Sequence, residues 1–391
     1  MKVIFVTRGW PTEADPMSGN YEAVQAKALA RQGVDVTVVF LQRKSLGHLF
    51  GSRSIRRRDE NGIMVLSTMA VMTELPGVGR TKYNPLDLWL CQKAFGRIYE
   101  YYRREKGDAD LIHAHLIVNA HVCHGVLNRY HIPFVITEHW SKMNYPMLNA
   151  GLRRLAEAYT WADRVICVSK ALADSLKEKL GVESLVIHNM VSDHFFEQRT
   201  RDTNLPEKHD CIQFISVGSL VGSKGFDLII SALSRSKSLT KCMLSIIGSG
   251  PEEANLRRLI EANGLQDKVH LLGQKTPDEV SAQIAASDCF ILASRRETFG
   301  IVYIEAMAKG KPVIATICGG PEGFVNETNG ILIPTDDVEA AARAIDYMVE
   351  NLDKYDSMAI RKFCHDNFSE EAIVEKIINV YDEILKQCKG K

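Results

Sequence analysis

The sequence predicts an α/β protein of two domains, each a parallel sheet covered by helices, and three observations carry that expectation. The 391 residues are too many for one ordinary core and suit two domains. Short apolar runs alternate with helix-length segments and end in polar or Gly-rich loops, at residues 3–7 and 36–41 early on and at 289–293 and 312–315 later. Between Glu197 and Asp210 the text turns polar, EQRTRDTNLPEKHD, and a fresh apolar run follows at Ile212, which reads as a linker. The expected partition is 1–200, 201–370 and a helical terminal piece, 371–391.

Bulk properties narrow the classes. With 46% hydrophobic and 25% charged residues, the composition is that of an ordinary soluble globular protein. Net charge is zero, but residues 1–200 hold 26 Lys+Arg against 20 Asp+Glu, leaving 22 against 28 for the rest. The halves are therefore about +6 and −6, which permits an anionic surface as partner of the first half and gives no sign of a nucleic-acid partner for the whole. The nine cysteines are scattered singly with no C-x-x-C pair, so those in apolar runs, such as Cys167 and Cys289, read as small core filler. Met1-Lys-Val-Ile-Phe-Val-Thr reads as a buried strand and not a signal peptide, and no apolar run reaches transmembrane length. A reducing, cytoplasmic setting is expected.

In chain order, the first strand runs into a loop from Thr7 to Gly19. A helix follows from about Asn20 to Gln32, with Val24, Ala28 and Leu29 on one face and Gly33 as its stop. The opening is βαβ without a GxGxxG turn, which excludes a nicotinamide dehydrogenase. Gly19 suits a close backbone approach to phosphate, and Asn20 is expected to cap the helix. Residues 43–58, RKSLGHLFGSRSIRRR, read first as a solvated loop and edge strand and second as a contact to anionic lipid. Tyr99 to Lys106 is a second basic-aromatic helix end with the same two readings. His113, His115, His121 and His124 cluster, yet only Cys123 joins them as a ligand type, so no metal site is expected. The stretches 135–140 and 161–169 read as further strands, and Ser169-Lys170 starts a helix. In the second half, strands are expected at 212–218, 243–247 and 269–272, and the tail from Glu339 on reads as helical throughout.

Residues 291–330 organise the second half: strand, loop, helix, strand, loop, helix, with both loops at the carboxyl ends of strands, the edge where open parallel sheets bind ligands. Glu297 lies on the first loop and Glu305 about one turn into the helix, so both can face one crevice. The helix amino end between them offers unpaired N–H groups to an anion. Carboxylates can accept hydrogen bonds from vicinal hydroxyls. Sugar hydroxyls, phosphate and ribose together describe a nucleotide sugar, although a pair of solvated or capping glutamates has the same spacing.

The run from Ser294 to Thr316, SRRETFGIVYIEAMAKGKPVIAT, continuing through Gly319-Gly320-Pro321-Glu322 and Asn329-Gly330, resembles the signature of retaining, nucleotide-sugar-dependent glycosyltransferases of group 1 or family 4 type. That resemblance implies the GT-B fold, two Rossmann-like domains with their sheets facing across a cleft and a terminal helix returning to the first. It implies a donor site at Gly19, Ser219, Lys224, Gly248, Gly273, Glu297, Phe299, Gly300, Ile301 and Glu305, with His139 near the donor sugar and His115 lining the acceptor side. His139, Lys224 and Glu297 are the expected catalytic group. Glu297 would hold the hexose, Glu305 the ribose, and Lys224 with the Phe299–Ile301 N–H groups the diphosphate. Ser219 stands where the family commonly has a basic residue, a loss that Arg295 or Arg296 could offset. Asp108-Ala-Asp110 imitates the metal-binding D-x-D of the other glycosyltransferase fold but precedes its strand, so it reads as a turn. The resemblance further implies transfer of a hexose or N-acetylhexosamine, from a UDP-sugar first and GDP-mannose second. The acceptor would be a glycan or lipid-linked species of surface polysaccharide synthesis. No metal or other cofactor is expected, and peripheral contact with an anionic membrane is allowed. A non-catalytic binding subunit and a sugar-nucleotide epimerase are the competing readings.

Overall fold

The computed structural model describes residues 1–13, 15, 17–44, 54–72, 84–140, 143, 150–197 and 211–389. The chain divides into two units, Met1–His188 with Ile373–Lys391, and Asn189–Ala372. Unit 1 holds β1 (Lys2–Val6), β2 (Asp35–Lys44), β3 (Arg56–Glu60), β4 (Ile63–Val71), β5 (Leu111–His115), β6 (Phe134–Glu138), β7 (Arg164–Cys167) and β8 (Leu185–Val186). Its sheet runs β3-β4-β2-β1-β5-β6-β7-β8, parallel except for β3, which pairs antiparallel with β4. The parallel strands are buried on both faces, as β1, β5 and β6 show; β1 accordingly reads as a nearly continuous apolar run, while β5 and β6 bury His113, His115, Thr137 and Glu138 among their apolar residues.

Unit 2 holds β9 (Ile212–Val217), β10 (Cys242–Ile247), β11 (Val269–Leu271), β12 (Cys289–Leu292), β13 (Val313–Thr316) and β14 (Gly330–Ile333). They form a parallel sheet in the order β11-β10-β9-β12-β13-β14. In both sheets the order reverses beside the first strand, between β1 and β5 and between β9 and β12. Those reversals splay successive helices to opposite faces and open a crevice at the carboxyl ends of the strands. Helix Phe226–Arg235 buries Phe226, Leu228, Ile229 and Leu233, the apolar stripe that fixes its amino end beside the reversal in unit 2.

Several boundaries differ from expectation. The first helix starts on Gly19, which is its N-cap in left-handed conformation (φ 66°) with no side-chain cap, so Asn20 is the first helical residue and not the cap. The strand expected at 161–169 is shorter, because Glu157–Trp161 is a 3₁₀ turn ahead of β7. The tail is not one helical run: it is Val338–Asn351, Ser357–Phe368 and Glu370–Lys389, with Asp356 capping the second helix and Ser369 separating it from the third. The β3–β4 hairpin turns through Asn61 and Gly62, both at positive φ. Of the basic stretch 43–58, the described end is an exposed edge strand, Arg56–Arg58, while residues 45–53 lie outside the described residues, as does the expected linker from 198 to 210. No helix among the described residues is long and apolar enough to cross a membrane.

Candidate active site

In unit 2 the turn Gly222–Lys224 follows β9, and the loop Ala293–Gly300 follows β12, so the two flank the reversal point. Lys224 Nζ donates to Glu297 Oε1 at 2.5 Å, and Ser294 Oγ donates to the same oxygen at 2.8 Å. The Glu297 side chain is only 10% exposed and that of Lys224 25%, so this ion pair is shielded on one side and open to a ligand on the other. Gly300, left-handed at φ 89°, opens the helix Ile301–Ala308 without a side-chain cap, leaving its first N–H groups for an external acceptor. The Phe299 ring is not a ligand surface: it is buried against Phe324 and Phe368 at 5.0 and 5.8 Å, so only its backbone is available.

Glu305 is half-buried on that helix, and its carboxyl makes no hydrogen bond among the described residues. Burial alone pushes its pKa up from 4.5 to about 7. A desolvated carboxyl without a hydrogen-bond partner is unusual in a folded protein. Gly248 and Gly273 lie on the β9 side of the crevice, where Gly248 N donates to Gly273 O at 2.9 Å. A Cβ on Gly248 would stand 1.9 Å from Gly218 O, so glycine is required for the turn after β10 to close on the end of β9. Ser219 is exposed beside them.

Arg295 does not replace the missing cation. Its guanidinium is bidentate to Asp227 at 3.0 and 2.8 Å, its Nε meets Asp336 at 2.6 Å, and it also donates to Gly222 O. Arg295 N donates to Ser223 O at 2.8 Å. Arg295 therefore ties the Lys224 turn to the β12 loop, a role that sequence reasoning missed because Asp227 and Asp336 are 68 and 41 residues away.

In unit 1, His115 ends β5 and His139 follows β6, and their Nδ1 and Nε2 atoms lie 2.9 Å apart. His115 is fully buried, its second ring nitrogen has no partner among the described residues, and burial holds its pKa well below 6.5. His113 Nδ1 meets Tyr381 of the last helix at 2.6 Å and its Nε2 meets Thr137 at 2.7 Å. Burial drops the His113 pKa to about 3, so it is neutral and structural. Gly19 also sits here, where a Cβ would strike Gly9 O at 2.2 Å, so glycine lets the helix start pack on the β1 loop. His121 and His124 pack against Trp161 instead, and no group of three metal-ligand residues forms among the described residues. Asp110 lies at the opposite strand edge, accepting from Lys2 N at 2.6 Å.

Two further residues shape this edge. Glu138 is wholly buried and accepts from Ile117 N, His139 N, Trp140 N and Tyr159 Oη at 2.8–3.0 Å. It thereby ties the loops that carry both histidines, while burial raises its pKa against those four donors. Arg8, after β1, grips buried Glu22 through two bonds at 2.7 and 3.1 Å, which holds Glu22 below its ordinary pKa in spite of burial.

Residues 197–363 match the family of glycosyl transferases group 1, and residues 20–195 match glycosyltransferase family 4. An uncharacterized glycosyltransferase of Methanocaldococcus jannaschii is 30% identical over 292 residues, 72% of this chain and 77% of that one. The lipopolysaccharide core biosynthesis glycosyltransferase LpsE of Rhizobium meliloti is 32% identical over 169 residues, 42% of this chain and 48% of that protein. HepE of Anabaena, solved in complex with UDP and glucose, matches with a TM-score of 0.73 at 19% identity, over 98% of this chain and 100% of that one. That likeness is one of fold, and the fold is GT-B. With both halves matched and a relative at this identity along most of its length, the chain belongs to the group 1 glycosyltransferases.

Proposed function

We propose that the chain transfers a hexose or N-acetylhexosamine from a nucleotide sugar to a glycan or lipid-linked acceptor, with retention and without a metal, in surface polysaccharide synthesis. The observation that carries this reading is the Lys224–Glu297 pair at the unit 2 reversal, in the loop that runs into an uncapped helix amino end, with the Glu305 carboxyl farther along that helix. Breaking the anomeric bond leaves negative charge on a diphosphate, and an oxocarbenium-like sugar forms. Fixed donors aimed at the growing charge are the largest catalytic term. Lys224 and the N–H groups of Phe299 to Ile301 are those donors, Glu297 takes the sugar hydroxyls, and Glu305 takes the ribose. Gly248 and Gly273 border the nucleotide, and Ser219 leaves the phosphate with one cation fewer. In unit 1, Gly19 gives the close backbone approach, His139 is the catalytic histidine, and His115 lies on the acceptor side. The complex of HepE with UDP and glucose supports a UDP-sugar as the first choice, ahead of GDP-mannose, and the LpsE relative supports a surface-glycan acceptor.

A thermal-shift titration against UDP, GDP and ADP, without and with EDTA, tests the reading. A nucleotide at a hundredfold excess over its Kd stabilises the native state by about 2.7 kcal/mol. One base is expected to raise the midpoint equally in both series. No shift with any base would leave a binding subunit for another ligand, and a shift abolished by EDTA would remove the metal-free mechanism.

Arg295 gives a second expectation. Arg295→Ala should weaken the nucleotide's Kd by about tenfold, since the Lys224 turn loses its tether, and Arg295→Lys should recover little because an ammonium cannot reproduce the fork. Equal Kd values in all three proteins would show that the turn holds itself.

A further inference from the structure

We propose that a groove on unit 1, between the helices Pro85–Lys106 and His124–Tyr130, is a docking site for an extended anionic glycan. The groove encloses about 720 Å³. Its floor is open because Gly96 and Gly125, on the two helices, have no side chains, and a Cβ on either would meet nothing within 4 Å. The first helix buries Leu88, Phe95, Ile98 and Tyr99 on its inner side, so Trp89, Lys93, Arg97 and Arg104 are left on the outer one. Their spacings of four, four and seven residues keep them on one side of the helix, and from Trp89 to Arg104 they span about 22 Å at the helical rise of 1.5 Å per residue.

The chemistry of the lining names the occupant. Four cations, Lys93, Arg97, Arg104 and Arg129, face one carboxylate, Glu100, an excess of three. Glu100 is itself engaged by Arg129 at 3.3 Å and by the Tyr130 hydroxyl. Arg97 and Arg104 make no ion pair or hydrogen bond among the described residues. Two aromatic rings, Trp89 and Tyr101, are offered to the same space, with Trp89 51% exposed; Tyr130 also borders it, its ring covered by Arg103 and Arg129 at 5.0 and 5.2 Å. Cations for acid groups and flat rings for sugar faces, set in a row, fit a linear chain of acidic sugars. A bilayer fits less well. A helix lying on a membrane presents an aliphatic and aromatic face, whereas here the outer face is cationic and the rings line a concavity that a flat surface reaches only at its rim. A single-stranded nucleic acid shares the charge and stacking requirements and is separated by experiment. The inference rests on the glycosyltransferase reading, because an enzyme that extends an acidic glycan gains from holding the finished part of the chain outside its reaction crevice.

The test is fluorescence anisotropy of labelled oligogalacturonate with the full chain, beside neutral maltooligosaccharide, oligo(dT) and vesicles of phosphatidylcholine with phosphatidylglycerol. Oligogalacturonate should bind best, with affinity falling as salt rises. Arg97→Ala with Arg104→Ala should weaken it by about tenfold. Gly96→Leu should do the same without changing charge, by filling the floor; its Cβ has room, and a helical glycine tolerates replacement. Both variants should keep the wild-type thermal midpoint. Attraction by charge alone would leave Gly96→Leu binding like wild type, and that result would overturn the proposal. So would binding no tighter than that of maltooligosaccharide, or a preference for oligo(dT) or vesicles. None of these arms uses a nucleotide, so a failure here leaves the donor-site reading standing, and the reverse also holds.

Discussion

Lys224→Ala should lower turnover by about 10²- to 10³-fold while weakening nucleotide binding far less, because one fixed donor to a developing anion contributes about 3–4 kcal/mol in the transition state. In the free protein Lys224 is already paired with Glu297 at 2.5 Å, and that pairing shapes the rest of the expectation. In the proposed reaction Glu297 holds the ammonium toward the diphosphate, and the contact with Lys224 fixes the position of a nearly buried carboxylate that accepts sugar hydroxyls. Removing either partner leaves the other charge poorly solvated, so Glu297→Ala should also lose turnover by a large factor. The double variant should then lose scarcely more than the worse single one, since residues acting as a unit are far from additive. Steady-state rates with a nucleotide sugar of the base identified by thermal shift would measure the cycle. Losses that multiply would show that the two side chains act separately, and a wild-type rate for Lys224→Ala would remove it from the catalytic group.

The features legible in the sequence were those with a local cause. β9, β12 and β13 are short apolar runs that stop at Gly-rich loops, and a buried parallel strand has no other way to end. The placing of Glu297 on a loop after a strand and of Glu305 on the helix that follows was legible too, because the two stand only eight positions apart and local patterning covers that distance. The basic stretch read as a solvated loop and edge strand, and its end is indeed the edge strand β3; the hairpin it forms with β4 was missed, although Asn61-Gly62 is the two-residue turn signal for one. Glu138 and Arg295 were illegible for a different reason. Each acts by joining segments far apart in the chain: Glu138 reaches Ile117 and Tyr159, each 21 residues away, and Arg295 reaches Asp227 across 68. No periodicity or spacing in one sequence announces such a partner. The Lys224–Glu297 pair, 73 residues apart, falls in the same class: its members were identified by resemblance, while their contact emerged only from the fold.

Glu305→Gln is expected to weaken nucleotide binding by about ten- to a hundredfold at pH 8 and, in the same protein, to raise stability. The cause is one carboxyl with a pKa of about 7 in the folded chain against an ordinary 4.5 in the unfolded one. Below pH 4.5 both folded and unfolded chains carry the proton and the group has no effect. Between 4.5 and 7 the unfolded chain gives it up first, so stability falls as pH rises, and above 7 the folded protein bears an ionised, unpartnered carboxylate. The full displacement corresponds to about 3 kcal/mol, and partial access to water reduces it to roughly 1–2 kcal/mol. Glutamine cannot ionise, so the variant's advantage in denaturant midpoint should be absent at pH 4.5, grow through pH 6 and level off above pH 7. Binding should move the opposite way. Ribose hydroxyls donate more strongly to the carboxylate than to the carbonyl oxygen of its protonated form, so nucleotide affinity in the wild type should climb through pH 7, with a proton released on binding, while in Glu305→Gln it should show no step there. Guanidinium titrations and calorimetry in buffers of different ionisation heat would follow both quantities. Parallel pH profiles for the two proteins would place the titrating group elsewhere and separate Glu305 from the ribose, whereas opposed profiles would show a residue kept at a cost to the fold for what it binds.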